Sequence, residues 1–447
     1  MNKLHLSTIL VFKSIVLFAQ DLSHLSDSIA VEEPQKYPQF TLGGTPVLAY
    51  DTDVGLRYGA VINLFDYSNR EILPDYTQHV RLRLYNSTKG TSNYSVLYDT
   101  ERLIPRSLVT FEASFIEDIA LDFYGFNGSE TVYYPEFSDE NQSGYINKYF
   151  YTHHRKLFRI RADLQRQIIS REFRLFSGVT YHKYRMGDID YERFDIPEGA
   201  HGNAAIHTTL YRKFVDWGAI LPEEKDGGDI LTLSSGIIYD TRQGKIHCKG
   251  GVWFESYFIF SPPGVSSSYF IKQVTTFRHY VPLYSINGLL AYRLSSQQKI
   301  AGRIPYYQLP VFYGSLENQD GPGGAFTLRG VHRNRIAANS YLLGNLEFRK
   351  NLFSFTLFNI DWQTEGILFT DIGMVTGMYE FPDQGIPDDY RRDLFRDQRK
   401  RSGPHATAGA GVYLIYNKDN IISVNYGFSL DPQLGTKGLY IGSGFLF

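Results

Sequence analysis

Over most of this chain apolar and polar side chains alternate one for one. In LFRIRADLQ, Phe158, Ile160, Ala162 and Leu164 fall on one face, with Arg159, Arg161, Asp163 and Gln165 on the other. VRLRLY repeats the arrangement, Val80, Leu82 and Leu84 lying opposite Arg81, Arg83 and Tyr85. A period of two gives a strand one apolar and one polar face. Here the polar face carries several charges per strand, which suits a wet lumen better than the outside of a soluble sandwich. About sixteen such segments can be marked, near 40–50, 55–67, 77–88, 93–104, 108–124, 148–166, 171–185, 230–241, 250–260, 269–281, 286–295, 341–351, 363–375, 406–416, 420–429 and 438–447. Open sheets rarely exceed about 10 strands, so closure is the economical solution, and an even count matches bacterial single-chain barrels. The predicted fold is all-β: a transmembrane antiparallel β-barrel of about 16 strands.

The connections carry a second pattern. Four are long (125–147, 186–229, 296–340 and 376–405), and all follow odd-numbered segments. Connections after even-numbered segments are short, as in the turn expected at Asn351 to Ser354. Long loops on one side and short turns on the other is the asymmetry of outer-membrane barrels.

Composition agrees without deciding. Net charge is −2, from 45 basic and 47 acidic side chains, so no overall charge favours nucleic acid. Past the N-terminus there is no apolar run long enough for a helical span, which leaves strands as the means of crossing a bilayer. The 34 Tyr and 32 Phe suit interfacial girdles. The single Cys248 excludes an internal disulfide framework. At the start, Lys3 begins a basic region, and ILVF and SIVLFA form an apolar stretch that reads as a signal peptide over 1–19, cleaved after Ala19. Residues 20–39 then form a short periplasmic segment, and 40–447 the barrel. The last segment, GLYIGSGFLF, spaces Tyr440, Gly442, Phe445 and Phe447 like the terminal recognition strand of outer-membrane proteins, and it must pair with 40–50 to close the barrel.

The stretch GPGGAFTLRGVHRN, followed by SYLLGNLEFRKNL, resembles the bacterial surface antigen domain, the barrel shared by BamA, TamA and their relatives. LFTDIGMV is similar to that family's next strand, and SGIIYDTRQG, with Asp240 and Arg242, to an earlier one. Val331 stands where the family usually has an aromatic residue, and Gln243 where it usually has an acid. The resemblance implies that the loop bearing Gly323, Gly324, Leu328, Arg329, Gly330 and Val331 folds back into the lumen as a lid. It also implies a short member without the periplasmic receptor domains that most relatives carry.

The chemistry of such a lid can be reasoned separately. A loop threaded into a lumen needs a strong anchor, and arginine offers a planar fork of donors suited to two carboxylates. Alternation puts Glu347 on the polar face with Asn345 and Arg349, and Asp371 lies in the next strand, so the expected lid lock is Arg329 with Glu347 and Asp371. A local pair between Glu347 and Arg349, with Arg329 solvated, is the alternative. Arg391, Arg392, Arg396, Arg399, Lys400 and Arg401 suit either lipopolysaccharide phosphates or plain solvation, and interleaved acids favour solvation. His153 and His154, being adjacent, point to opposite faces and make a poor metal pair. The chain has no G-x-S-x-G, H-E-x-x-H or G-x-x-x-x-G-K motif, so neither an enzyme nor a cofactor is expected. The expected role is insertion, assembly or translocation of proteins at a Gram-negative outer membrane. The expected partners are outer-membrane lipids, substrate proteins and a periplasmic or lipoprotein partner supplying receptor domains. A gated small-solute pore and a structural subunit of an outer-membrane complex are the alternatives.

Overall fold

The computed structural model describes residues 39–447 except 70–71, 73–75, 195–207, 245–246, 358–359, 396–402 and 417–419. The expected signal peptide, all of the expected periplasmic segment but Gln39, and Arg396, Arg399, Lys400 and Arg401 lie outside the described residues. The strands of the first half are β1 (Phe40–Asp51), β2 (Gly55–Asp66), β3 (Gln78–Ser87), β4 (Thr91–Thr100), β5 (Ser107–Asp122), β6 (Thr152–Gln167), β7 (Phe173–Gly187), β8 (Gly227–Asp240) and β9 (Gly251–Ser261). They are followed by β10 (Phe270–Leu283), β11 (Gly288–Gly302), β12 (Val311–Phe312), β13 (Gln319–Asp320), β14 (Ser340–Leu357), β15 (Ile360–Gly377), β16 (His405–Tyr416), β17 (Asn420–Ser429) and β18 (Lys437–Ser443). The two-residue strands β12 and β13 pair with each other, and the other sixteen form one closed antiparallel barrel.

Alternation decides which way each side chain faces. Leu42, Ile62, Phe111, Phe158, Ile160, Leu294, Leu346, Leu368 and Phe428 are exposed on the outside. Arg159, Arg161, Glu112, Glu255, Arg293 and Glu347 are buried inside. An apolar exterior around a charged interior inverts the soluble arrangement and fits strands that satisfy every backbone group laterally within lipid. Among the described residues no helix is long and apolar enough to cross a membrane; the strands cross instead.

Three boundaries depart from expectation. No turn forms at Asn351 to Ser354. A bulge between Asn351 and Phe353 absorbs one residue, and pairing then continues through Phe355 opposite Trp362 to Leu357 opposite Ile360. Strand β11 continues past 295 to Gly302, because Ser295 and Gln297 are buried inward partners rather than loop residues. The last strand stops at Ser443, short of the expected 447. Gly444 adopts φ of +87°, a left-handed conformation open to glycine at little cost, and the backbone turns inward there. The seam is correspondingly short. Where β1 pairs with β2 along its whole length, among the described residues it meets β18 in register at Tyr50 opposite Ile441 and Asp51 opposite Tyr440, with the Thr52 N–H donating to the Leu439 carbonyl just beyond at 3.2 Å.

The described parts of the long connections 123–151, 188–226 and 378–404 gather at one end with the two ends of 303–339. There Phe126, Phe150, Phe214, Tyr306, Tyr379 and Leu394 form one buried aromatic core. Asn127 ties two of these loops by donating from Nδ2 to the Tyr379 carbonyl at 3.0 Å.

Candidate functional site

Segment 303–339 does not stay with the other loops. Its residues meet inward-facing side chains of β3, β6, β9, β11, β14 and β15, which puts it inside the barrel wall. Arg329 is fully buried there, 1% exposed. Its Nε donates to Asp371 Oδ2 at 2.9 Å, one terminal nitrogen to Asp371 Oδ1 at 2.9 Å, and the other to Glu347 Oε1 at 2.6 Å. Its backbone N–H also donates to Asp371 at 3.0 Å. The Phe369 ring lies 3.4 Å from the guanidinium carbon and closes the socket from one side. Burial alone would depress the Arg329 pKa, but Asp371 and Glu347 override it and hold the group more firmly protonated than a free arginine.

The acids are themselves held. Asn345 Nδ2 donates to Asp371 at 2.8 Å, and Arg293 Nε to Asn345 at 2.8 Å. Glu347 takes Arg329 on one oxygen and Arg349 on the other, at 2.8 Å from Nε, so the two pairings weighed from the sequence occur together. Both carboxylates are fully buried. Each lies at an inward position of a long strand, and bidentate charge-assisted bonds are short and directional.

The residues around Arg329 fit it to the wall. Gly330 has φ of +98°, and a Cβ there would lie 2.9 Å from backbone atoms of Phe428 and Ser429 on β17. The Gly330 N–H donates to the Tyr440 hydroxyl at 2.9 Å, so this residue of the terminal pattern reaches the arginine segment. Leu328 and Val331 bury into an apolar cluster with Tyr341, Leu343 and Leu434. The Gly323 N–H donates to Thr327 Oγ1 at 2.8 Å and the Gly324 N–H to the Val331 carbonyl at 2.9 Å, folding the segment back on itself.

The remaining predicted residues stand elsewhere. Arg242 pairs bidentately with Asp240, the last residue of β8, at 2.9 and 3.2 Å under the Trp253 ring, and Arg174 lies 3.9 Å from the same carboxylate. Gly442 has open space beside it, a Cβ there meeting nothing nearer than Ser423 Oγ at 3.9 Å. Phe445 and Phe447 do not alternate along the wall. They turn into the lumen, Phe445 beneath the Arg349 guanidinium at 4.2 Å and Phe447 beneath Arg293 at 5.2 Å.

Several partners escaped the sequence reading. Glu317 accepts from Arg83 at 2.7 Å, and Asp320 accepts from Arg155 at 2.9 Å and is also bonded by Arg333. Burial would raise both carboxyls, but these arginines, with Arg81 beside Glu317, hold them well below the usual range. Arg335 donates to the carbonyls of Gly128, Thr131 and Gln433, all at 2.9 Å or less, and staples the segment to two other loops. Loop charges with partners more than a hundred residues away leave no local signal.

His332 gives this segment a pH dependence. Its ring stacks on Tyr124 at 5.3 Å and lies 5.1 Å from Tyr133. Burial, with Arg335 and Lys89 nearby, pushes its pKa down to about 4. The folded segment therefore holds it neutral, and the stability it contributes is complete at pH 7 and lost as pH falls from about 6.5 towards 4. The Glu317 and Asp320 pairs have depressed pKa values, so their contribution persists until pH drops below about 4. Taking the protein from pH 7.5 to 5 is expected to weaken seating of 321–339 by on the order of 1 kcal/mol, allowing for screening of a partly exposed ring. Protease access to 321–339 measures this. Access that rises equally in His332→Gln would assign the effect to another group.

A closed barrel with an apolar exterior, a charged lumen and a loop bound inside it is a membrane-spanning β-barrel. No protein-family model matches the chain, and no curated protein matches it. Among solved structures it is similar to BamA from Haemophilus ducreyi lacking POTRA domains 1-3, with 14% identity and a TM-score of 0.54 over 91% of this chain and 70% of that one. It is also similar to CdiB from Escherichia coli, with 12% identity and a TM-score of 0.53 over 92% of this chain and 64% of that one. CdiB from Acinetobacter baumannii matches with 13% identity and a TM-score of 0.50 over 92% and 60%. The chain thus spans about two thirds of the length of these structures. The shared feature is the fold: the chain is a sixteen-stranded β-barrel similar to the barrels of those proteins.

Proposed function

We propose that the barrel takes part in inserting, assembling or translocating proteins at the outer membrane, with segment 303–339 as a lid held in the lumen by Arg329, Glu347 and Asp371. The observation that carries this reading is the buried arginine socket joining a mobile-capable element, a loop, to two strands of a barrel with the BamA fold. A loop this firmly anchored suits a lumen kept closed except when a substrate changes its contacts. The short seam between β1 and β18 supports the same reading, since few backbone bonds oppose its separation. Protein substrates and a periplasmic or lipoprotein partner belong to this proposal, and no covalent chemistry does. Arg391 and Arg392, the described members of the basic group in 376–405, donate to carbonyls of their own loop at Asp383 and Asp388.

A gated pore is the second reading, favoured by a lumenal cavity of about 830 Å³ lined by Arg81, His79, Asp99 and Arg242. Depleting the chain in its native cell and quantifying outer-membrane proteins separates the two. Under the proposal, a subset of outer-membrane or secreted proteins falls while small-solute uptake is unchanged. Lost uptake with an intact outer-membrane protein profile would establish the pore and end the assembly reading.

A further inference from the structure

The lumen wall grips one part of the buried loop, Tyr313 to Asp320, as a binding site grips a peptide. The grip comes from side chains of separate strands, and half of it is on the backbone of the loop. The Gln297 amide of β11 takes the Tyr313 N–H at 3.3 Å and donates to the Tyr313 carbonyl at 2.9 Å, reading both backbone groups of one residue. The Glu255 carboxylate of β9 accepts the Ser315 N–H at 3.2 Å and also its hydroxyl. A terminal nitrogen of Arg161, on β6, donates to the Leu316 carbonyl at 2.9 Å. Two acidic side chains then complete the contact: Glu317 against Arg83 at 2.7 Å and Arg81 at 3.7 Å, and Asp320 against Arg155 at 2.9 Å.

The charges differ in how they are satisfied. Arg161 has Glu112 at 3.2 Å and Arg155 has Asp118 at 2.7 Å, so both keep an anion if the loop leaves. Arg81 and Arg83 have no carboxylate other than Glu317 within ion-pair distance among the described residues. Withdrawing the loop would leave two adjacent, uncompensated guanidiniums on β3, beside a cavity of about 830 Å³ that they already line. An arginine pair presents forked donors to a carboxylate, and the groups along the wall that bond the backbone of this turn favour a peptide over a free ion.

We propose that this wall is a binding site for an acidic turn of a peptide, and that Tyr313–Asp320, the turn that joins β12 to β13, is its intramolecular stand-in, occupying it while the lumen is closed. The inference rests on the proposed handling of protein substrates and names where within the barrel an acidic stretch of such a substrate is held. Glu317 and a substrate carboxylate compete for Arg81 and Arg83, so entry of the substrate and withdrawal of the loop are one exchange.

The test uses the full chain refolded in detergent at low ionic strength and a fluorescent peptide of the loop sequence YGSLENQD, read by anisotropy. Wild type should bind it weakly, because its own loop fills the site. Glu317→Gln should bind at least tenfold more tightly, and adding Arg81→Gln and Arg83→Gln to that variant should remove the gain. If the triple variant does not fold, as judged by heat-dependent gel mobility, Arg83→Lys in the Glu317→Gln background serves instead and should lose most of the gain. A peptide carrying glutamine in place of its glutamate should not bind. Equal affinity for wild type and Glu317→Gln, or affinity that survives loss of the arginines, overturns the proposal. So does displacement of the peptide by pyrophosphate at the peptide's own concentration, which would make this a simple anion site. None of these results bears on the depletion experiment, so the site and the assembly role fail separately.

Discussion

Arg329→Met should release segment 321–339 to protease while leaving the barrel folded. The substitution keeps an unbranched side chain but removes the guanidinium from the Phe369 ring along with three side-chain hydrogen bonds, and leaves Asp371 with Asn345 as its side-chain partner. Breaking a buried pair from one side costs roughly 3–5 kcal/mol, and a hydrated lumen places the figure near the lower end. About 3 kcal/mol corresponds to on the order of a hundredfold in the unseated population. Asp371→Asn should be the more severe of the two carboxylate changes, because Asp371 receives the backbone N–H and two guanidinium bonds of Arg329, whereas Glu347 keeps Arg349. Limited proteolysis and planar-bilayer currents of the refolded chain report both effects. Cleavage rates within 321–339 that match wild type would rule out the socket as the anchor.

Gly330→Val should give nearly the same phenotype with the arginine intact. A Cβ at this position falls 2.9 Å from the backbone of β17, and backbone cannot step aside as a flexible side chain can. The φ of +98° adds a conformational cost that any branched residue bears. The loop tip therefore cannot seat, and Arg329 is withdrawn from its acids although nothing has been done to it. Because both changes unseat one element, the double variant should be little worse than either alone, whereas independent sites would add. Additive protease sensitivity would show that Gly330 acts elsewhere.

The barrel was readable because a strand exposed to lipid on one side and water on the other has to alternate, and a charged inner face leaves no ambiguity about direction. Segments such as LFRIRADLQ settle their own register, and the loop asymmetry then orients the whole. The arginine socket was readable in outline, since Glu347 and Asp371 occupy polar-face positions of recognisable strands. What alternation cannot see is where a strand stops when its continuation is equally alternating. Hence Asn351 to Ser354 reads as a turn, although a bulge carries pairing past it, and GSGFLF reads as wall, although Gly444 diverts it. Nor can it pair a loop acid with a wall arginine: Glu317 and Arg83 are 234 residues apart, and each looks locally like any solvated charge.

Arg349 forms a second meeting point between the loop and the chain end, besides the Gly330–Tyr440 bond. On one side it shares Glu347 with Arg329, and on the other its guanidinium covers Phe445. The loop and the far end of the chain are thus moored to a common post. A pull that draws Phe445 outward would strip the cover from Arg349 and slacken its hold on Glu347, while unseating Arg329 would free Glu347 to draw Arg349 off the ring. Tension applied at either end of this linkage would reach the other through two side chains on one strand, Glu347 and Arg349.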